Sequence, residues 1–313
     1  MTGDLSRGLS VQLAPNNERG LLLSSPVIVA SGTFGYGMEL ADNVDIQRLG
    51  AIVCKGITPH PRKGNPYPRI LETASGMLNS IGLQNVGIDA LIKEKAPIWA
   101  SWQVPVIVNI SGETVEEYVG IANALEGVPG ISAIEVNISC PNIKSGGIEF
   151  GTHPRMAAEV TSAARKATTL PLLVKLAPNV TDIAEIAQAV VEAGADALSL
   201  VNTFVGMAID INKRRPALGT TIGGLSGPAI KPLALALVYQ VAQATSVPIV
   251  GIGGITTADD ALEFIMAGAH AVEIGTANFR NPGAALDILD GIISYMEREN
   301  IQDLSQLVGI ARV

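Results

Sequence analysis

The sequence predicts a single (β/α)8 barrel, the TIM barrel, and three observations lead to this α/β fold class. Short apolar runs alternate with helical segments along the chain at an even spacing. Eight such runs are present, each followed by a segment that we interpret as a helix. The runs end in polar or glycine-rich residues, as expected where strands open onto an active site. A doubly wound open sheet is the alternative, but eight evenly spaced units favour a closed barrel.

The predicted elements follow one another in a regular order after a short strand at residues 21–25. The eight barrel strands are predicted at residues 26–30, 51–57, 104–109, 131–138, 171–178, 197–203, 248–254 and 271–276. Helices are predicted at residues 38–49, 86–95, 114–125, 154–168, 182–193, 229–244, 258–267 and 283–299. Residues 59–80 and 204–228 are rich in proline, glycine or charged residues and predict two long loops, either of which could close over a substrate.

The stretch 131–142 is expected to be central to the site. Its apolar residues predict a buried parallel strand, yet it contains Asn137 and ends in the sequence Ser-Cys-Pro-Asn. Pro141 cannot donate a ladder hydrogen bond, so it ends the strand and leaves Cys140 at the rim of the barrel. An inert buried cysteine is the alternative, but the neighbouring amides favour a functional thiol. Cys54 has apolar neighbours and is interpreted as a packing residue.

Two lysines, Lys55 and Lys175, lie among apolar strand residues, where a buried ammonium needs an anionic or strongly polar partner. They could favour an anionic ring or a carboxylated substrate, and the alternative is that both form buried ion pairs with Asp or Glu. Several asparagines also lie at or near strand ends. Each offers a donor and an acceptor, which suits the imide edge of a flavin or a pyrimidine. They are Asn79, Asn109, Asn137, Asn142 and Asn202.

The last two predicted strands end in glycine-containing turns just before helices. Gly253-Gly254 and Gly275-Thr276 would present bare backbone N–H groups at a helix start, where a phosphate binds favourably. The alternative is that these glycines only allow tight turns. The pattern therefore predicts a phosphorylated ligand but no particular reaction.

Composition excludes several classes of function. The 313 residues, 48% of them hydrophobic, fit one domain spanning 1–313, and no apolar run is long enough to span a membrane. A net charge of −8 gives no reason to expect nucleic acid. Two unpaired cysteines and three scattered histidines predict neither a disulfide framework nor a metal site. The first residues lack the pattern of a signal peptide, which predicts a cytoplasmic protein.

Six segments together resemble the class 1 dihydroorotate dehydrogenases. They are residues 30–37 (Ala-Ser-Gly-Thr-Phe-Gly-Tyr-Gly), 55–56 (Lys-Gly), 79–85 (Asn-Ser-Ile-Gly-Leu-Gln-Asn), 137–142 (Asn-Ile-Ser-Cys-Pro-Asn), 202–203 (Asn-Thr) and 251–254 (Gly-Ile-Gly-Gly). The resemblance extends over nearly the whole chain and is greatest to the class 1B catalytic subunit. The segment 31–37 favours this subclass over the fumarate-reducing class 1A enzymes, which are the alternative.

The resemblance implies a site residue by residue. FMN, one per chain, would contact Ser31, Lys55, Gly56, Asn109, Asn137, Lys175, Val201, Gly227, Gly253, Gly254, Gly275 and Thr276. Orotate would contact Lys55, Asn79, Ser80, Ile81, Gly82, Leu83, Asn137, Asn202 and Thr203. Cys140 falls where the family has its catalytic base. The resemblance also implies a partner subunit with FAD and a [2Fe-2S] cluster, in a heterotetramer of two of each chain, with NAD as the final acceptor.

The implied reaction oxidises dihydroorotate to orotate in pyrimidine synthesis. It needs a base at substrate C5 and a hydride acceptor at C6, and a Cys140 thiolate would be the base if nearby donors lower its pKa. Lys175 would stabilise negative charge on the reduced flavin. Two other interpretations remain open. One is a flavin-free aldolase or isomerase that uses Lys175 as a Schiff-base amine, and the other is a barrel without catalytic activity that serves as an interaction scaffold.

Overall fold

A closed barrel of eight parallel strands forms the centre of the computed structural model, which describes residues 8–139, 141–142 and 148–312. The strands are β1 (Val27–Val29), β2 (Ala51–Val53), β3 (Val106–Ile110), β4 (Ala133–Asn137), β5 (Leu172–Leu176), β6 (Ala197–Leu200), β7 (Ile249–Ile252) and β8 (Ala271–Ile274). Each strand pairs with its neighbours in sequence, and β8 pairs with β1 to close the ring. The predicted TIM barrel is therefore confirmed, and an open doubly wound sheet is excluded.

Helices surround the barrel and pack their apolar faces against it. They span Ile88–Ala90, Leu91–Lys95 (π-helical), Ala96–Trp99, Val115–Leu125, Pro154–Ala167, Ile183–Glu192, Lys231–Ala244, Ala258–Ala267, Ala277–Arg280 and Ala284–Arg298. Short 3-10 turns occur at Ile46–Arg48, Phe150–Thr152, Pro228–Ile230 and Leu304–Gln306. Several helices begin at a side chain that accepts a backbone N–H bond, as at Thr114, Asp182 and Thr257. These caps agree with the helix starts predicted from the sequence.

The helix predicted at residues 38–49 is wrong. This segment consists of turns followed by the short 3-10 helix Ile46–Arg48. Its backbone hydrogen bonds mostly span three residues, for example from the N–H of Asn43 to the carbonyl of Leu40. The Asp42-Asn43 pair favours turns because short polar side chains compete for backbone groups. The first barrel strand is therefore followed by turns rather than by a helix.

The two predicted long loops pair with each other. Residues 59–80 include the antiparallel strands Ile70–Thr73 and Gly76–Asn79. The second of these strands pairs with Gly223–Ser226, which in turn pairs with Phe204–Gly206. The two excursions thus form one four-stranded antiparallel sheet. Since both connect the carboxyl end of a barrel strand to the following helix, this sheet lies at the same end of the barrel as the expected site.

The amino end of the barrel is covered by a small antiparallel pair of strands. Val11–Gln12 pairs with Leu22–Leu23, so the short strand predicted at residues 21–25 is present but lies outside the barrel. Leu13 and Leu23 are fully buried and belong to the main hydrophobic core. This end is therefore closed by apolar packing.

Candidate functional site

The interior of the barrel contains a fully buried polar cluster. Lys175 on β5 lies between two carboxylates, with its Nζ atom 3.5 Å from Glu135 Oε1 and 3.2 Å from Glu273 Oε2. Glu135 also accepts hydrogen bonds from Asn109 Nδ2 at 2.6 Å and from Ser199 Oγ at 2.7 Å. The five residues come from five different strands and are at most 5% exposed. We call Asn109, Glu135, Lys175, Ser199 and Glu273 the interior cluster.

Electrostatics within the interior cluster decide between the interpretations of Lys175. Burial lowers the pKa of Lys175, but the charges of Glu135 and Glu273 outweigh burial, so its pKa is raised overall. Lys175 therefore forms the buried ion pairs of the alternative interpretation, and its predicted contact with FMN stays a prediction. A Schiff-base amine must lose its proton easily, and this lysine is held as an ammonium. The aldolase interpretation is thus not supported by the site.

Lys55 differs from Lys175 in its surroundings. It lies two residues after the end of β2, is half-buried, and pairs with no carboxylate among the residues that the structure describes. Burial lowers its pKa, the charge of Glu39 opposes this effect, and the charge of Arg69 adds to it. The backbone is fixed by a bond from its N–H to the carbonyl of Gly35 at 2.9 Å. Lys55 is therefore a cation available to an anionic ligand.

Asn137 connects several polar groups at the end of β4. Its Oδ1 atom accepts hydrogen bonds from Asn202 Nδ2 at 3.3 Å and from the N–H of Ser139 at 3.2 Å. Its Nδ2 atom donates to Ser111 Oγ at 3.3 Å, and its carbonyl accepts from the Tyr118 hydroxyl at 2.6 Å. The Asn202 side chain also accepts from the N–H of Thr203 at 2.8 Å. The structure therefore brings Asn137, Asn202 and Thr203 together, as the resemblance implies.

The segment 79–83 has an unusual backbone. Gly82 has φ of 75° and Leu83 has φ of 53°, which is uncommon for a residue with a branched side chain. A Cβ atom on Gly82 would lie 2.5 Å from the Asn65 side chain, so this position accepts only glycine. Ser80 Oγ accepts from Asn65 Nδ2 at 2.9 Å, and Asn79 pairs with Gly224 across the sheet. The turn is thus held by the neighbouring excursions at the carboxyl end of the barrel.

Asn109 and Gly56 are in close contact beside this turn. A Cβ atom on Gly56 would lie 2.8 Å from Asn109 Oδ1 and 3.5 Å from Leu83 Cδ2. Gly56 therefore leaves no room for a side chain between the barrel strand and the segment 79–83. This contact joins predicted cofactor positions to predicted substrate positions.

Glycines follow the ends of β7 and β8, and there the chain packs against a neighbouring segment. A Cβ atom on Gly254 would lie 2.8 Å from the carbonyl oxygen of Gly227, and both glycines have positive φ. Thr276 Oγ1 donates to Ser226 Oγ at 2.7 Å, which fixes the turn after β8 against the same segment. A Cβ atom on Gly275 would lie 3.7 Å from Ala30 Cβ, an ordinary van der Waals distance. The turns thus differ, because Gly254 is closely packed against backbone whereas Gly275 is not.

The two turns of the expected phosphate site differ in their distance from the following helix. Helix Ala258–Ala267 begins four residues after Gly254, at the predicted position, whereas the short helix Ala277–Arg280, which was not predicted, begins directly after Thr276. That helix already has its first N–H groups capped by Thr257 and Asp260. The N–H groups of Gly253, Gly254, Gly275 and Thr276 donate to no other group in the described part of the chain. Donors for an anion are therefore the turns themselves rather than the longer helix.

The remaining predicted residues fall into two groups. Ser31 follows β1 and is half-buried, while Val201 is buried at the end of β6. Cys140 and the side chain of Asn142 lie outside the described residues, so their predicted roles stay predictions. Cys54 is fully buried, and burial raises the pKa of its thiol to about 12. Its interpretation as a packing residue is confirmed.

Sequence reasoning missed three members of the interior cluster, Glu135, Ser199 and Glu273. The two glutamates are single charged residues in apolar strands, which is the same signal that identified Lys175. The partners of the buried lysine could have been sought among the acidic residues within predicted strands, because a barrel brings the inward-facing residues of all its strands together. Ser199 carries no such signal, since serine is common in strands of every kind.

The fold and the site together define a class of protein. A closed TIM barrel with a buried charged cluster, a half-buried lysine that pairs with no described carboxylate, and backbone donors at the carboxyl ends of its strands is typical of an enzyme. None of the helices in the described ranges is long and apolar enough to cross a membrane.

Comparison with known proteins identifies the family. The family model described as dihydroorotate dehydrogenase matches residues 15–296. The dihydroorotate dehydrogenase B (NAD(+)) catalytic subunit of Geotalea uraniireducens is 58% identical over 301 residues, covering 96% of this chain and 97% of the relative. The protein of the same description from Pelobacter propionicus is 57% identical over 293 residues, covering 94% and 96%. The chain therefore belongs to the dihydroorotate dehydrogenase family.

A solved structure agrees with this result. The crystal structure of DHODH from Eimeria tenella in complex with ferulenol superimposes with a TM-score of 0.78 at 25% sequence identity. The similarity covers 99% of this chain and 90% of that structure. The family identified from the sequence motifs is confirmed.

Proposed function

We propose that this chain is the catalytic subunit of an NAD-linked dihydroorotate dehydrogenase that oxidises dihydroorotate to orotate in pyrimidine synthesis. The observation that supports this function most strongly is the identity of 58% with an NAD(+)-type catalytic subunit across almost the whole of both chains. The relatives named above favour NAD over fumarate as the final acceptor. An intact set of polar residues at one end of the barrel argues against a scaffold without catalytic activity.

FMN is the cofactor that the site residues fit. When bound, FMN would accept a hydride from C6 of dihydroorotate. Lys175 would lie on the side of the flavin where negative charge increases, with the interior cluster holding its ammonium in place. Gly227, Gly254, Gly275 and Thr276 would hold the phosphate, because the N–H groups of Gly254, Gly275 and Thr276 donate to no other group in the described ranges. We therefore include the predicted FMN contacts in the proposal unchanged.

Dihydroorotate would bind between Lys55 and the asparagines. The Lys55 ammonium would pair with the substrate carboxylate, since no described carboxylate competes for it. Asn137 and Asn202 would orient the ring amides, together with Asn79, Thr203 and the turn formed by residues 80–83. The Cys140 thiolate would remove the C5 proton while the hydride leaves C6, so that the ring gains its double bond without any other acceptor.

The partner subunit is also part of the proposal. The relatives are named catalytic subunits, which supports a separate subunit for electron transfer, and we expect that subunit to contain FAD and a [2Fe-2S] cluster in an assembly of two chains of each kind. Exposed apolar residues on the four-stranded sheet and the segment next to it suit a protein interface. They include Val205, Met207, Ile209, Ile211 and Ile222. One FMN-binding domain and a cytoplasmic location stay predictions.

An anaerobic absorption experiment tests the proposed function. The purified chain should show a flavin band, and dihydroorotate should bleach it. Added NAD should restore the band only in the presence of the partner subunit, and fumarate should not restore it. A colourless protein that stays colourless with added FMN would contradict the flavoenzyme function, and rapid recovery with fumarate alone would contradict the NAD-linked one.

A further inference from the structure

The interior cluster contains more acid than its lysine can balance. Glu135 and Glu273 are 0% and 1% exposed, and Lys175 is the only cation with which they pair in the described ranges. With both carboxylates ionised, the cluster would have a net negative charge with no access to water. An unbalanced buried charge is strongly destabilising, so one of the two acids is expected to keep its proton.

Hydrogen bonding shows which acid is better able to stay charged. Glu135 accepts from three donors, namely Asn109, Ser199 and Lys175. Glu273 accepts only from Lys175, and its Oε1 atom is buried without a hydrogen-bond partner in the described ranges. A carboxylate is stabilised by each donor that it accepts from. The negative charge therefore belongs on Glu135, and the proton belongs on Glu273.

The other groups around Glu273 do not change this assignment. Its neighbouring strands β1 and β7 contain only apolar residues and glycine, and β2 contains none that titrates. Burial raises the pKa of the thiol of Cys54, which follows β2, to about 12, and the charge of Glu135 adds to this effect. Cys54 therefore stays neutral. Burial, and after it the charge of Glu135, raise the pKa of Glu273 to about 8, and Lys175 opposes this only in part.

The cluster also lies one layer below residues of the proposed cofactor site. Side chains two residues apart in a strand point to the same side, so Glu135 lies below Asn137 and Glu273 lies below Gly275. Both of these upper residues are in the proposed FMN site. The net charge of the cluster is therefore set one layer below the position where reduction adds negative charge.

We propose that Glu273 is a positioning residue that stays protonated at neutral pH, so that the interior cluster is neutral. Lys175 is then held beneath the flavin, and no second carboxylate reduces the effect of its positive charge. The part that concerns the flavin rests on the proposed function. When Glu273 loses its proton, the cluster becomes negative and reduction of the flavin becomes less favourable. Glu273 would thus set the upper pH limit of the working site.

The first test compares the midpoint potential of bound FMN in the wild type and in Glu273→Gln as a function of pH. The two curves should coincide on the acid side of about pH 8, where both side chains are neutral, and the wild type should fall below the variant on the alkaline side. Glu135→Gln is the matched control. It removes the carboxylate that repels an ionised Glu273. The pH at which the midpoint potential of this variant begins to fall should therefore be lower than in the wild type. Curves that stay parallel across the whole range would overturn the proposal.

The second test needs no flavin. Infrared difference spectra of the full-length chain should show the carbonyl stretch of a buried protonated carboxyl group at neutral pH, and this band should disappear near pH 8. The band should be missing from Glu273→Gln. If that variant does not fold, the wild type and Glu135→Gln still decide the question, because a wild type without the band at neutral pH refutes the proposal. A titrating band in a protein that dihydroorotate does not bleach would instead refute the proposed function alone.

Discussion

The two ends of the barrel use the same kinds of polar residue in opposite ways. At the amino end, Glu126 accepts hydrogen bonds from Thr168 and Thr169 and pairs with Arg19. Asp196 on the same end accepts from Asn17, from the N–H of Leu172 and from the guanidinium of Arg165 at 2.9 Å. Both carboxylates thereby join loops that are far apart in the sequence. The acidic groups of Glu126 and Asp196 therefore already have protein partners.

At the carboxyl end, polar groups remain available. Lys55 pairs with no described carboxylate, Ser139 Oγ is buried without a partner in the described ranges, and Asn137 and Asn202 are only half-buried. Buried polar groups that lack partners are uncommon, and they are typical of sites where a ligand completes the hydrogen bonds. The comparison indicates that the amino end stabilises the barrel while the carboxyl end is arranged for binding.

The strongest test of this difference is Cys140→Ser. If the carboxyl end performs the chemistry, the variant should keep FMN but reduce it by dihydroorotate about 10²- to 10⁴-fold more slowly at neutral pH, because a hydroxyl is a far weaker base than a thiolate. Stopped-flow absorption measures this rate. Cys54→Ser is the matched control, since Cys54 is a buried packing residue. An unchanged rate in Cys140→Ser would remove Cys140 from the role of base.

Removing Lys175 should affect both stability and the cofactor. Lys175→Ala leaves the buried Glu135 carboxylate without its cation and Glu273 without its hydrogen-bond donor, and it should cost about 3–5 kcal/mol of unfolding free energy. It should also weaken FMN retention or lower the flavin potential. Lys231→Ala provides the control, because Lys231 likewise pairs with two carboxylates, Asp260 and Glu263, but is partly exposed. We expect the control to cost only about 1 kcal/mol. Equal losses in denaturant unfolding would contradict the importance of burial.

Lys55→Ala should weaken ligand binding while it leaves the stability of the protein nearly unchanged. Lys55 has no described ion pair to lose, so stability should change little, whereas orotate affinity should fall by about 1.5–3 kcal/mol, the usual contribution of a hydrogen bond to a charged group. Because the pKa of Lys55 is lowered by burial, its positive charge is present below that pKa and is lost as pH rises through it. Orotate binding, followed by the flavin spectrum, should therefore weaken at alkaline pH in the wild type and not in the variant.

The smallest effect is expected at the amino end. The side-chain hydrogen bond from Thr168 is the largest influence that lowers the pKa of Glu126 to about 2. Its contribution to stability is therefore complete above the ordinary pKa of glutamate and is lost as pH falls toward 2. Glu126→Gln should lower unfolding free energy by about 1 kcal/mol at neutral pH and by less at about pH 3. Flavin reduction should not change, and a slower reaction would contradict the separation of the two ends.

The sequence allowed the barrel to be predicted because each strand is a short apolar run with a clear end. All eight strands are present, although most are shorter than predicted, since Pro and polar residues at their ends do not join the sheet. The helix at residues 38–49 failed because its apolar spacing resembles a helix while Gly37 and the Asp-Asn pair favour turns. Both the correct strand predictions and the wrong helix prediction were thus based on local sequence patterns.

Contacts between distant residues could not be predicted in the same way. The pairing of Asn79 with Gly224 has no local signal, because neither glycine-rich nor proline-rich segments show a strand period. Charges within apolar strands did indicate the interior cluster, and the lysine was recognised by that rule. Its two acidic partners carry the same signal but were not assigned to it, because the sequence does not show which strand positions lie at the same level inside the barrel.

The sheet made from the two excursions has a consequence for how the protein is made. Asn79 and its partner Gly224 are 145 residues apart in the chain. At a synthesis rate of about 5–20 residues per second, the first excursion would wait roughly 7–30 s for its partner to leave the ribosome. The amino-terminal strands can begin to associate during this interval. The four-stranded sheet next to the turn at residues 79–83 cannot yet form. The sheet next to the turn at residues 79–83 is therefore completed only after the first strands of the barrel have left the ribosome.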